Sequence, residues 1–166
     1  GEVMGTAPSF GEAFYKAQLG AGNDLHKKGA VFISVRDNDK REVISLAREI
    51  ASFGYRIIST HGTGRVLQRN DIPVEMTDKI QAGGDNILNH LDELAFVINT
   101  PNHRGARWDE SKIRSACPVK GIPHFTTLAS AHALVGGLAR EAHQTYQVRP
   151  LQELLRNPQL HVPTLA

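Results

Sequence analysis

The stretch Arg56-Ile57-Ile58-Ser59-Thr60-His61-Gly62-Thr63-Gly64 carries the residues best suited to binding chemistry. An apolar run of strand character ends in a Thr/Gly turn, and a helical pattern follows from Arg65. Such a junction presents bare backbone N–H groups and the hydroxyls of Thr60 and Thr63 at one spot. The positive end of the new helix faces the same spot, which suits a phosphate or other anion. The turn is neither a Walker A sequence nor a G-x-G-x-x-G fingerprint. Taken alone, it fits equally well a tight strand-to-helix turn with Thr63 as the helix cap.

The elements that must position this turn read as an alternation. Ser9 followed by Glu12 forms a capping box for a first helix that ends at Gly20, and Gly20-Ala21-Gly22-Asn23 reads as a linker. The pattern then predicts a strand over 30–35, a helix over 40–53 stopped by Gly54, and a strand over 56–59. A short helix over 65–70 and a weak strand over 74–77 follow. Next come a helix over 86–91, a strand over 94–99, a helix over 111–117 cut by Pro118, a strand over 124–127 and a helix over 128–142. A small helix follows Pro150. Continuous apolar strands alternating with amphipathic helices imply a parallel sheet covered on both faces, with right-handed crossovers.

In such sheets ligands bind beyond the carboxyl ends of the strands. Those ends carry Arg36, Asp37 and Lys40; then Thr60, His61, Gly62 and Thr63; then Asp78 and Lys79; then Asn99 and Thr100; then Thr126 and Thr127. Hydroxyls, amides and ammonium groups dominate, as a phosphate site requires. Singly, Lys40 and Lys79 also read as solvated lysines, and Asn99-Thr100-Pro101 as strand-end turn chemistry. Arg104-Gly105-Ala106-Arg107 reads as a solvated loop, although two guanidiniums also suit phosphate.

The chain has 166 residues, 40% hydrophobic and 22% charged, the size and composition of a globular domain. A net charge of +2 argues against general polyanion affinity and so against nucleic acid. One cysteine, Cys117, excludes an internal disulfide and a multi-Cys metal site, and reads as a buried small residue. No segment reads as a membrane span or signal peptide. The chain opens Gly1-Glu2-Val3-Met4 with no initiator Met, as expected of a piece of a longer polypeptide. The eight histidines show no metal-ligand spacing, so no metal site is expected. Asp37 and Asp85 are the carboxylates placed to reach the pocket, as a general base or, more simply, as helix caps.

Several segments together resemble one family. Gly1–Gly5, Phe10-Gly11-Glu12-Ala13-Phe14 and Lys16-Ala17-Gln18-Leu19-Gly20 look like the join leading out of the second synthetase half of the carbamoyl phosphate synthase large chain. Val31–Asp37 with Asp39-Lys40, Thr60-His61-Gly62-Thr63, Asn99-Thr100-Pro101 and Thr126-Thr127-Leu128 look like its C-terminal regulatory domain. The likeness spans roughly residues 1 to 140.

The resemblance implies a methylglyoxal-synthase-like fold: a Rossmann-like, three-layer α/β/α sandwich with a parallel sheet of about five strands. It divides the chain into a connecting helix and linker (1–29), the regulatory domain (30–146) and a C-terminal tail (147–166). It implies a cytoplasmic regulatory piece with no catalytic residues, metal or cofactor of its own. ATP and Mg or Mn serve the parent ligase, which supplies arginine and pyrimidine biosynthesis. UMP or IMP would be the effector, its phosphate held at Lys40, Thr60, Gly62, Thr63, Lys79, Asn99 and Thr100. Further implied partners are the synthetase core of the same chain, a small glutaminase subunit and a second copy of the parent. Thr126 marks the border where ornithine acts in some members. Here His124-Phe125 replaces the Tyr-Asp of ornithine-responsive members, which speaks against that control.

Two departures matter. Where the family has Glu-Gly-Arg-Pro after the lysine matching Lys79, this chain has Gln81-Ala82-Gly83-Gly84-Asp85, so a basic group near the phosphate is missing. Gly83-Gly84-Asp85 also resembles the Gly-Gly-Asp of methylglyoxal synthase, whose Asp is a catalytic base acting on dihydroxyacetone phosphate. Against that enzyme, Asn99-Thr100-Pro101 stands where the synthase carries a Trp-Asp-Pro-like segment, and Arg36 stands at its catalytic His.

Overall fold

The computed structural model describes residues 2–25, 28–101, 107–141 and 150–156. The chain forms two compact units, Gly1–Gly22 with His132–Ala166, and Asn23–Ala131.

The Asn23–Ala131 unit is built on five parallel strands: β1 (Ala30–Ser34), β2 (Arg56–Thr60), β3 (Glu75–Thr77), β4 (Leu94–Asn99) and β5 (His124–Phe125), in the order β3-β2-β1-β4-β5. Their sequences are near-continuous apolar runs because both faces are covered; all six residues of β4 are buried. Register pairs Ile33 with Ser59 on one side of β1 and Ser34 with Asn99 on the other. The chain steps outward from β1 through α2 (Val43–Ser52) to β2 and through α3 (His61–Gln68) to β3. It then returns to β4 and steps the other way through α4 (Arg107–Val119) to β5. Right-handed crossovers in opposite directions put α2 and α3 on one face and α4 on the other, the expected three-layer sandwich.

Strand alternation divides the core. Phe32 and Val97 pack with Ile113 and Cys117 of α4 in one buried cluster. Val31 and Ile33 point the opposite way by the two-residue strand period. Each fully buried aliphatic side chain here contributes about 1.5–3 kcal/mol.

The helix expected over 40–53 narrows to Val43–Ser52 and the strand expected over 124–127 to His124–Phe125, and three further elements differ more. Helix α3 starts at His61, directly off β2, and not at Arg65. Residues 86–91 are not an α-helix; two single 3-10 turns, Ile87–Asn89 and Leu91–Glu93, stand there. Helix α4 begins at Arg107 and carries Pro118 inside its last turn, where few intrahelical bonds are lost.

In the other unit, α1 (Phe10–Gly20) is capped by Ser9, whose hydroxyl accepts from Glu12 N at 3.4 Å. It meets α5 (Leu128–Glu141) backbone to backbone. A Cβ on Gly137 would fall 2.5 Å from Tyr15 Cβ and 2.7 Å from the Gly11 carbonyl oxygen, so only glycine allows this approach. A short helix α6 (Leu151–Arg156) follows Pro150.

Candidate functional site: a cleft at the sheet's switch point

Strand β1 feeds β2 on one side and lies beside β4 on the other, so a crevice opens beyond Ser34 and Asn99. Hydrogen bonds between non-neighbouring residues fix its floor. Ser59 Oγ donates to the Ile33 carbonyl at 2.7 Å, and Thr100 N donates to the Ser34 carbonyl at 3.2 Å. Arg36 N donates to Thr100 Oγ1 at 3.0 Å, which leaves the Thr100 hydroxyl proton for another acceptor. Asn99 and Thr100 are 6% and 4% exposed, buried polar groups at the crevice floor.

Thr60 is the N-cap of α3 in extended conformation, yet its side chain does not cap the helix. The Thr60 hydroxyl pairs instead with Ser34 Oγ at 3.0 Å. Among the described residues no side chain caps the first-turn N–H groups of α3, which can receive an anion. An ideal Cβ on Gly62 would lie 3.5 Å from Lys40 Nζ, which places that ammonium against the same first turn.

The empty space of the cleft is about 740 Å³ with the open solvent at its mouth included. Lys40, Thr60, Gly62, Thr63, Lys79, Asn99 and Thr100 all line it, as do Ser34, Arg36 and Asp37. Thr126 does not line it, and lies in the link between β5 and α5. Asp78, at the end of β3, lines it as its strand end predicts, and Asp109 and Glu110 add carboxylates that the strand ends did not point to. Asp109 is buried at the start of α4, and its Oδ1 accepts from Gln81 N at 3.2 Å. It thereby ties α4 to the loop that carries Lys79. Acidic residues in a first helical turn ordinarily read as dipole partners, so the sequence signal pointed elsewhere.

The remaining candidates fall as follows. Thr63 is not the cap of α3; its hydroxyl is spent on the Val35 backbone, accepting from N at 3.1 Å and donating to O at 3.3 Å. His61 Nε2 meets Asp78 Oδ1 at 3.1 Å. Asp37 lies at the mouth, bonded to Lys40. That bond, then the Lys40 charge and the more distant Lys79 charge, hold its carboxyl below the usual carboxylate range.

Asp85 does not line the cleft, and the N-cap is Asn86, whose side chain accepts from Leu88 N. The Asp85 carboxylate accepts from His90 Nε2 at 2.9 Å and from Asn89 Nδ2 at 3.2 Å. Residues 102–106 of the basic loop, with His26, His103, His143 and His161, lie outside the described residues. Among the described residues, no group of three His, Cys, Asp or Glu side chains is placed to hold a metal ion. No described helix is long and apolar enough to cross a membrane.

A five-stranded parallel sheet of this order, with its crevice between β1 and β4, defines a doubly wound α/β domain of the methylglyoxal-synthase-like type. Residues 42–126 match the model of the MGS-like domain family, and the chain belongs to that family. A methylglyoxal synthase from Elizabethkingia anophelis NUHP1 shares the fold: TM-score 0.55 over 78% of this chain and 91% of that one, at 17% identity. The chain is 41% identical over 156 residues to the carbamoyl phosphate synthase large chain of Acidobacterium capsulatum. It is 42% identical over 159 residues to that of Halomonas eurihalina. Both alignments cover 93% of this chain, which spans only 14% and 15% of the length of those relatives.

Proposed function

We propose that this chain is the effector-binding domain of a carbamoyl phosphate synthase large chain and takes the phosphate of a nucleoside monophosphate such as UMP or IMP. The observation that carries the reading is the meeting of Lys40, Lys79, Thr60, Asn99, Thr100 and the uncapped first turn of α3 in one cleft. Charge-assisted bonds from two ammonium groups and bare amides suit a phosphate monoester. The nucleoside would extend toward Ile80, Ile87 and Ile113, which give the cleft apolar wall. Regulation would follow by population shift: an effector that prefers one conformation of the domain biases the attached synthetase in the same direction.

The alternative, methylglyoxal synthesis from dihydroxyacetone phosphate, needs the Asp85 carboxylate at the reacting atoms. His90 and Asn89 hold that carboxylate away from the cleft lining.

Calorimetric titration with UMP and with IMP tests the proposal. Binding in the micromolar to low-millimolar range, weakened roughly tenfold or more in Lys79→Ala, is expected. Absence of heat with either nucleotide sinks the reading, and methylglyoxal released from dihydroxyacetone phosphate would put the alternative in its place.

A further inference from the structure

The cleft already contains an anion. The Asp37 carboxylate accepts a hydrogen bond from Lys40 Nζ, the ammonium packed against Gly62 in the first turn of α3. A ligand phosphate drawn to that turn competes with Asp37 for Lys40. We infer that Asp37 is a specificity-determining residue, a tethered competitor that yields Lys40 more readily to a phosphate monoester dianion than to a singly charged anion such as a phosphodiester. The inference rests on the phosphate reading above and names the charge class that the site accepts.

The physical case is an exchange of partners. A phosphate monoester carries about −1.5 to −2 charge at neutral pH and three acceptor oxygens. It gains more from Lys40, Lys79 and the α3 amides than a carboxylate loses on leaving. Asp37 is 86% exposed on its side chain, so the released carboxylate is rehydrated at little cost. A diester carries a single charge. Exchanging one monoanion on Lys40 for another gains nothing in Coulomb energy, and the tethered carboxylate holds the advantage of proximity. The reach of the Lys79 charge to Asp37 places both lysines in this competition. If Asp37 served the ligand directly, as a base or as an acceptor for a hydroxyl, its neutralisation would have the opposite sign.

The test is calorimetric titration of the wild type, Asp37→Asn and Lys40→Ala with UMP and with its methyl diester. Wild type should bind UMP more tightly than the diester. Asp37→Asn should bind UMP about two- to fivefold more tightly, the scale of an exposed ion pair, and should narrow the gap between UMP and the diester. In the Lys40→Ala background, Asp37→Asn should add nothing. Asp37→Ala, checked by circular dichroism for the native fold, should share the sign of Asp37→Asn. Weaker or unchanged UMP binding in Asp37→Asn overturns the inference, as does a diester that matches UMP on the wild type or full affinity in Lys40→Ala. UMP binding by the wild type leaves the phosphate reading standing in those cases. No UMP binding by the wild type removes the reading and the inference together.

Discussion

The Thr63 hydroxyl and the Val35 peptide close on each other across 28 residues, Oγ1 accepting from Val35 N at 3.1 Å and donating to Val35 O at 3.3 Å. Thr63 is 1% exposed, so the pair joins α3 to the exit of β1 out of reach of water. Thr63→Val keeps the shape and strands two buried backbone groups. It should cost about 1–3 kcal/mol in urea unfolding, whereas Thr63→Ser should recover most of that. Equal stability of the Val and Ser variants would mean that the hydroxyl is not what holds the junction.

Gly62 separates stability from binding. It lies in the first turn of α3 with helical backbone, and an added Cβ would make only ordinary contact with Lys40 Nζ, at 3.5 Å. Gly62→Ala should therefore leave stability unchanged or raise it by up to about 1 kcal/mol. The same methyl stands over the first-turn amides proposed to receive the phosphate, so UMP affinity should fall roughly tenfold, about 1.4 kcal/mol. A variant that gains stability and keeps its affinity would place the phosphate elsewhere.

The contrast between Thr63 and Gly62 shows what was legible in the sequence. The strands were, because Ala30–Ser34 and Leu94–Asn99 are apolar runs too short for helices. The convergence of polar residues at the strand ends followed from the parallel order alone, since every strand points its carboxyl end the same way. The start of α3 was not legible. His61-Gly62-Thr63-Gly64 has two glycines and no apolar period, so local propensity argues against helix where the strand drives directly into one. Asp109 was missed for a related reason: its bond to Gln81 N joins residues 28 apart, and no local pattern encodes it. Asp85 was misplaced as a cap because a Gly-Gly-Asp run looks like one. The carboxylate goes instead to His90, five residues on.

That His90 contact sets a pH dependence. His90 lies between Asp85, at 2.9 Å from Nε2, and Glu93, at 2.6 Å from Nδ1. Hydrogen bonds to Asp85 first and Glu93 second raise its pKa above 6.5. The His90 bond lowers Asp85, and the His90 bond followed by the Arg56 bond lowers Glu93. A raised histidine contributes stability that is full below its unfolded value and is lost as pH rises through the folded one. A lowered carboxylate contributes stability present above its unfolded value and lost as pH falls through the folded one. The network is therefore most stabilising between about 4.5 and 6.5, the ordinary values of Glu and His. Urea midpoints of wild type and His90→Ala should differ most near pH 5.5 and converge toward pH 8.5. A difference that grows with pH would reverse the assignment.

Cys117 offers a reading of the core from inside. Its thiol is fully buried in the cluster with Phe32, Val97 and Ile113, and burial pushes its pKa up to about 11. Only the thiolate attacks disulfides, so a native molecule should resist an aromatic disulfide reagent at pH 8 until it opens. Phe32 and Ile113 also line the cleft, so an opening around Cys117 that displaces them should compete with an occupied site. Saturating UMP at about 100 times its dissociation constant should then slow modification by about 100-fold, the factor set by mass action on the closed state. Fraying of the Pro118 turn alone would give modification that UMP leaves unchanged, because that turn can open without disturbing Phe32 or Ile113. The ratio of modification rates with and without nucleotide therefore reports whether the cleft and the α4 side of the core open as one unit.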